Sequence, residues 1–263
     1  MVQIMISVVC VYNDKKIFND FLLKSLKNQN AKFELIGIDN TSNEFKSAAE
    51  ALNYGGKKAT NKYIMFAHQD VSFLPKTWLK DIEKLLDPIS NLGIAGVAGM
   101  SESGSSNTER GRNIITHGIS REAWSWGNRI QKPVPVQTLD ECLVIIPKST
   151  FDVLMFDEKT CDGWHLYAVD YCLSAKEKGF NVYVLPVDLY HLSSAVSNKR
   201  FQSWIGPLPD EYYVTLDSLI KKHRDKFKRI YTTCGDWSTS YPSIIQRSDR
   251  IQRLIARLEK FRS

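Results

Sequence analysis

Cysteine is sparse and scattered in this chain. Cys10, Cys142, Cys161, Cys172 and Cys234 are odd in number, form no C-x-x-C pair and mostly sit among apolar neighbours. That excludes a zinc knot and a disulfide framework and leaves reduced, mostly buried thiols as the expectation. Long apolar runs are missing as well. The opening "MVQIMISVVCVYND" is too short to span a bilayer and lacks both a basic leader and a small-residue cleavage site, so a soluble, cytoplasmic protein is expected. "VYNDKKIFND" holds no glycine, which argues against the Gly-rich phosphate loop of a nucleotidyltransferase. No internal repeat, zinc finger or aromatic-basic RNA motif occurs, so nucleic acid is not an expected partner.

What is present is a globular composition. With 43% hydrophobic and 24% charged residues, the 263-residue chain can bury one large core or two modest ones. The net charge of +6 is unevenly placed: from Lys199 onward 14 Lys and Arg face 7 Asp and Glu, a balance of +7, which leaves the preceding part at about −1. A basic C-terminal surface of this kind suits an anionic membrane surface or an acidic acceptor.

Residues 1–195 alternate strand-like and helix-like segments. Strands are expected at 4–12, 33–39, "KYIMFA", 93–99, 142–147 and 181–186. Between them "IFNDFLLKSLKNQ" has helical spacing, "EFKSAAEALNYGG" reads as a helix closed by Gly55 and Gly56, 75–86 as a helix with Pro75 in its first turn, and 166–179 as a helix capped by Gly179. This order predicts an α/β domain with a mainly parallel sheet. Residues 101–132 read as a long excursion. After His191 the pattern becomes helical, at about 208–228 and 243–262, so 196–263 is expected to form a basic helical extension.

In open α/β sheets ligands sit at the carboxyl ends of the strands. Tyr12, Asn13 and Asp14 end the first strand, Asp39 and Asn40 the second, and His68, Gln69 and Asp70 the third; Asp140 and Glu141 lead into a later strand, and His191 follows the last. These groups can share one rim. Asp70 with His191 makes a candidate pair for Mn²⁺ or Mg²⁺, leaving coordination positions for a diphosphate and water. An Asp after a strand also serves as a helix N-cap, and a His there as a plain loop residue; spacing alone does not choose.

Five blocks in order, "ISVVCVYND", "LIGIDNTSN", "LNYGGKKATNKYIMFAHQDVSF", "LDECLVIIPKSTF" and "GWHLYAVDYCLSAKEKGFNVYVLPVDLYHLSS", resemble the GT-A fold glycosyltransferases of family 2. The match is to the small glycosyltransferase-like branch with HQD where relatives carry DxD. The resemblance covers about residues 3–195. It implies that Val11, Tyr12 and Asn13 line the nucleobase, that Asp39 hydrogen-bonds it, and that Asn53 and Gly55 border the nucleotide. It further implies that Asp70 holds the metal of a nucleoside-diphosphate sugar, with His191 as a further ligand. His68 stands where relatives have the first acid, so a ribose or metal contact there is altered; Gln69 lies beside it. At the acceptor side "LYAVDYCL" keeps only Asp170 of the family's acidic run and has Ala168 at the usual base position.

An inverting transfer needs a cation for the leaving diphosphate and a carboxylate to take the acceptor's proton. Asp170 is the first choice for that base, with Asp140, Glu141 and Asp162 in reserve; a structural acid paired with Lys176 is the competing role for Asp170. Trp164 and His165 are candidates for an acceptor wall or for core packing, and Trp124 and Trp126 for a lid or for packing on their own domain. The last helix sets Ile244, Ile251, Leu254, Ile255, Leu258 and Phe261 against Arg247, Arg250, Arg253 and Arg257, a face for docking on the catalytic domain, for a homodimer, or for peripheral contact with the inner membrane face. The acceptor is expected to be a glycan, a lipid-linked sugar or another hydroxyl compound. The alternative is a non-catalytic sugar-nucleotide or glycan-binding module.

Overall fold

The computed structural model describes residues 5–113, 115–118, 125, 127–192 and 208–260. Trp124, Trp126 and Phe261, and the side chains of Arg250 and Arg253, lie outside the described residues.

The first strand, β1 (Ile6–Tyr12), is buried up to its last two residues. Asp14 then turns the chain by capping α1 (Lys15–Phe18), its carboxylate accepting from the amides of Lys16 and Ile17. The helix continues through a π-turn (Asn19–Leu23) into α2 (Lys24–Lys27). Next come β2 (Glu34–Asp39) and α3 (Ala48–Lys58). Gly55 and Gly56 do not close α3, which runs on to Lys58. A Cβ on Gly55 would meet Val9 at 2.4 Å, and one on Gly56 would meet Phe151 at 2.4 Å. Glycine is needed there for close approach of α3 to the sheet at Gly55 and to the Phe151 ring of a later helix at Gly56, not as a cap.

The chain then forms β3 (Tyr63–Ala67), β4 (Val71–Phe73) and α4 (Trp78–Leu86). Pro75 stands ahead of α4 rather than in its first turn, and its carbonyl accepts from Trp78 N at 3.1 Å. The expected strand at 93–99 splits into β5 (Leu92–Gly96) and β6 (Ala98–Met100), which belong to different sheets. The excursion holds α5 (Asn107–Arg110), β7 (Gly111–Asn113) and β8 (Ile115–His117). Beyond it lie β9 (Val134–Pro135), β10 (Thr138–Leu139), β11 (Leu143–Pro147), α6 (Lys148–Phe151) and α7 (Tyr167–Glu177). Gly179, at φ +82°, ends α7 as expected. Then come β12 (Asn181–Val184) and β13 (Leu189–His191).

The main sheet has the order β2-β1-β3-β11-β5-β12-β9. β2, β1, β3, β5 and β12 run one way and β11 and β9 the other. Its central strands β3, β5 and β11 are apolar nearly throughout because both faces are covered. Val8, Met65 and Ile145 pack with Leu22, Leu26, Trp78 and Ile82 on one face; Val9, Ile64, Phe66 and Val144 pack with Phe151 and Tyr171 on the other. Each such side chain contributes about 1.5–3 kcal/mol by leaving water.

After the strands, α8 (Asp210–His223) lays Tyr212, Leu216, Leu219 and Ile220 on Leu166, Val169 and Leu173. The helix expected to reach 228 stops short, and an unforeseen hairpin of β14 (Arg229–Thr232) and β15 (Gly235–Ser238) follows, with Ile230 opposite Trp237 and both buried. α9 (Asp249–Lys260) docks on this hairpin through buried Ile255 and through Glu259, which pairs with Arg229 and Ser238. Ile251, Leu254 and Leu258 are left exposed.

Candidate active site

Strand pairing assembles the site. β13 runs antiparallel to β4 with His191 opposite Val71, and parallel to β8 with His191 opposite His117. Leu192 N donates to Asp70 O at 2.9 Å. Two residues 121 positions apart in sequence thereby meet: His191 Nε2 lies 3.3 Å from Asp70 Oδ1. His68 joins them, and the ligating atoms of His68, Asp70 and His191 all lie within 4.8 Å of one another.

The three polar residues that end β3 have separate tasks. Gln69 staples the neighbouring loop: its Oε1 accepts from Asn13 N (3.1 Å) and Asp14 N (3.0 Å), and its Nε2 donates to Asn13 Oδ1 at 2.7 Å. His68 N donates to Cys142 O, and its ring Nε2 meets Tyr167 Oη at 3.0 Å. Asp70 faces His191.

Burial pushes the His68 imidazole below its ordinary pKa, with the His191 ring adding to the fall, so it is neutral at pH 7. For His191 burial also lowers the pKa, but Asp70 outweighs it and the net shift is upward. Asp70 shifts down: burial raises it, and the hydrogen bond and charge of His191 more than offset that. His191 Nδ1 is buried with no hydrogen-bond partner among the described residues. Two imidazoles and a carboxylate, drawn from the β3–β4 turn and from β13, form a donor set that fits a divalent cation.

Beside the cluster opens a cavity of about 370 Å³, lined by Val11, Asn13, Asn40, His68, Gln69, Asp70, Glu141, Trp164 and Tyr167 among others. Glu141 reaches it from the turn before β11. Leu166, in the left-handed region at φ +65°, swings the chain into α7 and presents the helix's first amides to Glu141, whose Oε1 lies 3.4 Å from Ala168 N. Burial and the charge of Asp140 push the Glu141 carboxyl up to about 8, with those amides pulling the other way. Asp140 itself accepts from Cys142 N at 3.0 Å.

Several expected site residues stand elsewhere. Asp170 is 1% exposed and bound to Lys222 (2.8 Å) and His223 (2.8 Å). It ties α7 to α8, its oxygens facing cations inside the protein rather than the cavity where the sequence placed a base; Lys176, the expected partner, instead pairs with Glu102. Asn53 is also structural: its amide clamps Phe156 through both backbone groups, at 2.9 and 3.0 Å. Gly55 is buried against Val9 and Ile38 and borders no cavity. Tyr12 and Asp39 remain at the edge: alternation along β1 turns Tyr12 from the cavity onto Phe18 (4.5 Å), while its hydroxyl donates to Asp39 at 3.3 Å. Asp162 is exposed outside the lining. Trp164 lines the cavity at 41% exposure, while His165 turns away onto Tyr212.

Two site features escaped the sequence reading. Nothing in "LYAVDYCL" marks Tyr167, whose contacts with His68 and the Glu141 carbonyl need the fold. His117, buried with its ring 5.4 Å from that of His191, lies in the excursion, where no periodicity marks it; burial pushes its pKa down to about 4, with the charge of Asp140 opposing.

The sheet is mainly one-directional with a carboxylate–imidazole cluster at its carboxyl rim, and its likeness to the solved structures named below makes the fold a GT-A type. The sequence model of the glycosyltransferase-like family matches residues 7–228, and the chain belongs to that family. Solved structures share the fold at low identity. TarS 1-349 from S. aureus in complex with UDP-GlcNAc is 15% identical with a TM-score of 0.52, over 83% of this chain and 66% of that one. Mannosyltransferase PcManGT from Pyrobaculum calidifontis with GDP-Man and Mn²⁺ is 12% identical with a TM-score of 0.52, over 85% and 65%. Among curated proteins, "ATP synthase subunits region ORF 6" of Fuscovulum blasticum is 24% identical over 165 residues; the chain spans 61% of that protein's length. No helix among the described residues is long and apolar enough to cross a membrane.

Proposed function

We propose that the protein is an inverting glycosyltransferase that moves a sugar from a nucleoside-diphosphate donor to an acceptor hydroxyl. The observation that carries this reading is the His68–Asp70–His191 cluster at the mouth of a strand-end cavity. Asp70 and His191 would hold Mn²⁺ or Mg²⁺; the solved structure of PcManGT contains GDP-Man together with Mn²⁺. Such an ion stabilises the departing diphosphate as a Lewis acid. Val11 and Asn13 supply the wall and polar edge for the nucleoside, and Gln69 keeps Asn13 in place.

Glu141 is the proposed base. Among the described residues it is the cavity's carboxylate besides Asp70, and its pKa, raised to about 8, suits proton transfer near neutral pH. Trp164 offers an exposed aromatic face for the acceptor. The exposed stripe of Ile244, Ile251, Leu254 and Leu258 beside Arg247 suits contact with the anionic cytoplasmic face of a membrane, where a lipid-linked acceptor would lie.

The test is calorimetry with UDP, GDP and dTDP, each with and without Mn²⁺, followed by donor hydrolysis. Metal-dependent binding of one nucleotide supports the reading; binding of none, or of all three without metal, overturns it. The second reading, a binding module without turnover, is favoured by Ala168 and is selected if the donor binds but is never cleaved.

A further inference from the structure

The hydrogen bonds around Tyr167 decide which nitrogen His68 offers. The Tyr167 hydroxyl lies 3.1 Å from the Glu141 carbonyl oxygen, which can only accept, so its one proton points there. Its oxygen then faces His68 Nε2 at 3.0 Å as an acceptor, and Nε2 must carry the hydrogen. In a neutral imidazole this leaves the lone pair on Nδ1. That nitrogen is the one free to join Asp70 and His191. The Tyr167 ring is held in turn: it is 5% exposed and packs edge-on against Phe156 at 5.8 Å.

We propose that His68 Nδ1 is a third protein ligand alongside Asp70 and His191, that Tyr167 is its positioning residue, and that the site therefore takes a first-row transition metal in preference to Mg²⁺. The inference rests on the metal-dependent reading above and specifies its ion. Mg²⁺ favours oxygen ligands and retains its water, whereas nitrogen donors favour Co²⁺ over Mn²⁺ and either over Mg²⁺. Two imidazoles to one carboxylate also leave the site with a single negative charge, which weakens its hold on a hard cation. Outer hydrogen bonds of the Tyr167 kind fix tautomer and ring direction.

The experiment uses the full chain, stripped of metal by a chelator and titrated with MgCl₂, MnCl₂ and CoCl₂. Affinity is read by calorimetry and the ligand field by the visible spectrum of bound Co²⁺. We expect Co²⁺ to bind roughly 10-fold or more tightly than Mg²⁺. His68→Ala should lower Co²⁺ affinity at least about 10-fold and change the Co²⁺ band. Tyr167→Phe, which keeps the ring, should shift the band and cost about 10-fold. His68→Asp should narrow the preference over Mg²⁺ by strengthening Mg²⁺ binding, and it gives an independent reading should the alanine variant fold poorly. Unchanged affinities and an unchanged band in both His68 variants, with binding lost in Asp70→Ala, overturn the third ligand and leave the proposed function standing. Failure of the unaltered protein to bind any of the ions or any nucleotide overturns both.

Discussion

Replacing Asp170 by asparagine separates the two roles open to that carboxylate. Its oxygens lie 2.8–2.9 Å from Lys222 Nζ and 2.8 Å from His223 Nε2, and His223 is fully buried. Removing one partner of a buried ion pair costs about 3–5 kcal/mol, because the remaining charge cannot return to water. Here Lys222 keeps Asp157 at 2.9 Å and His223 keeps Glu177 at 2.6 Å, and the Lys222 side chain is 29% exposed. The loss should therefore fall nearer about 2–4 kcal/mol. In a chain of this size each kcal/mol moves the melting midpoint about 2–4 °C, so Asp170→Asn should melt about 4–16 °C lower. Thermal melts by circular dichroism measure that, and transfer per folded molecule should stay within a few-fold of the unaltered protein. A variant that melts normally but turns over about 100-fold or more slowly would refute the reasoning and restore Asp170 as the base.

Glu141→Gln should do the opposite, lowering turnover about 100-fold or more with no loss of stability at neutral pH. Since folding raises the Glu141 pKa to about 8, its contribution to stability is complete below the unfolded value and is lost as pH rises toward 8. Urea unfolding of Glu141→Gln should thus gain on the unaltered protein between pH 5 and pH 9, by about 2–4 kcal/mol; a gap that is flat with pH counts against it. Asp70 keeps a proton on His191 to higher pH than on a free imidazole, so an incoming cation must displace it. Mn²⁺ affinity should rise from pH 6 to pH 8 with proton release, read by calorimetry in two buffers of different ionisation enthalpy. Gly56→Ala forces a methyl to within 2.4 Å of Phe151 and should cost about 1–3 kcal/mol in urea while leaving nucleotide binding intact. Leu254→Ser with Leu258→Ser should reduce sedimentation with phosphatidylserine vesicles without changing the melting midpoint, because both side chains are exposed.

Much of the sheet was legible because its strands are covered on both faces and so appear as unbroken apolar runs, as in "YIMFA" and "LVIIP". Gly179 was legible for a similar reason: a helix end is a local event. Gly55 and Gly56 misled because the same residue type serves a cap and a close approach, and only the positions of Val9 and Phe151 distinguish them. The hairpin at 229–238 escaped because its strands are short and Ile230 meets Trp237 only once the chain has turned.

The functional reading divides along the same line. By itself the sequence determined that polar residues cluster where strands end and that Asp70 follows a strand, because periodicity and strand termini are local properties of the chain; His191, expected after the last strand, instead lies within the short β13. Only tertiary structure decided that β4 and β13 bring Asp70 and His191 within 3.3 Å, that the Tyr167 hydroxyl meets His68 Nε2 at 3.0 Å, and that Glu141 rather than Asp170 lines the cavity. Those outcomes depend on which distant segments pack together, and a carboxylate carries the same letter whether it meets a buried lysine or open solvent.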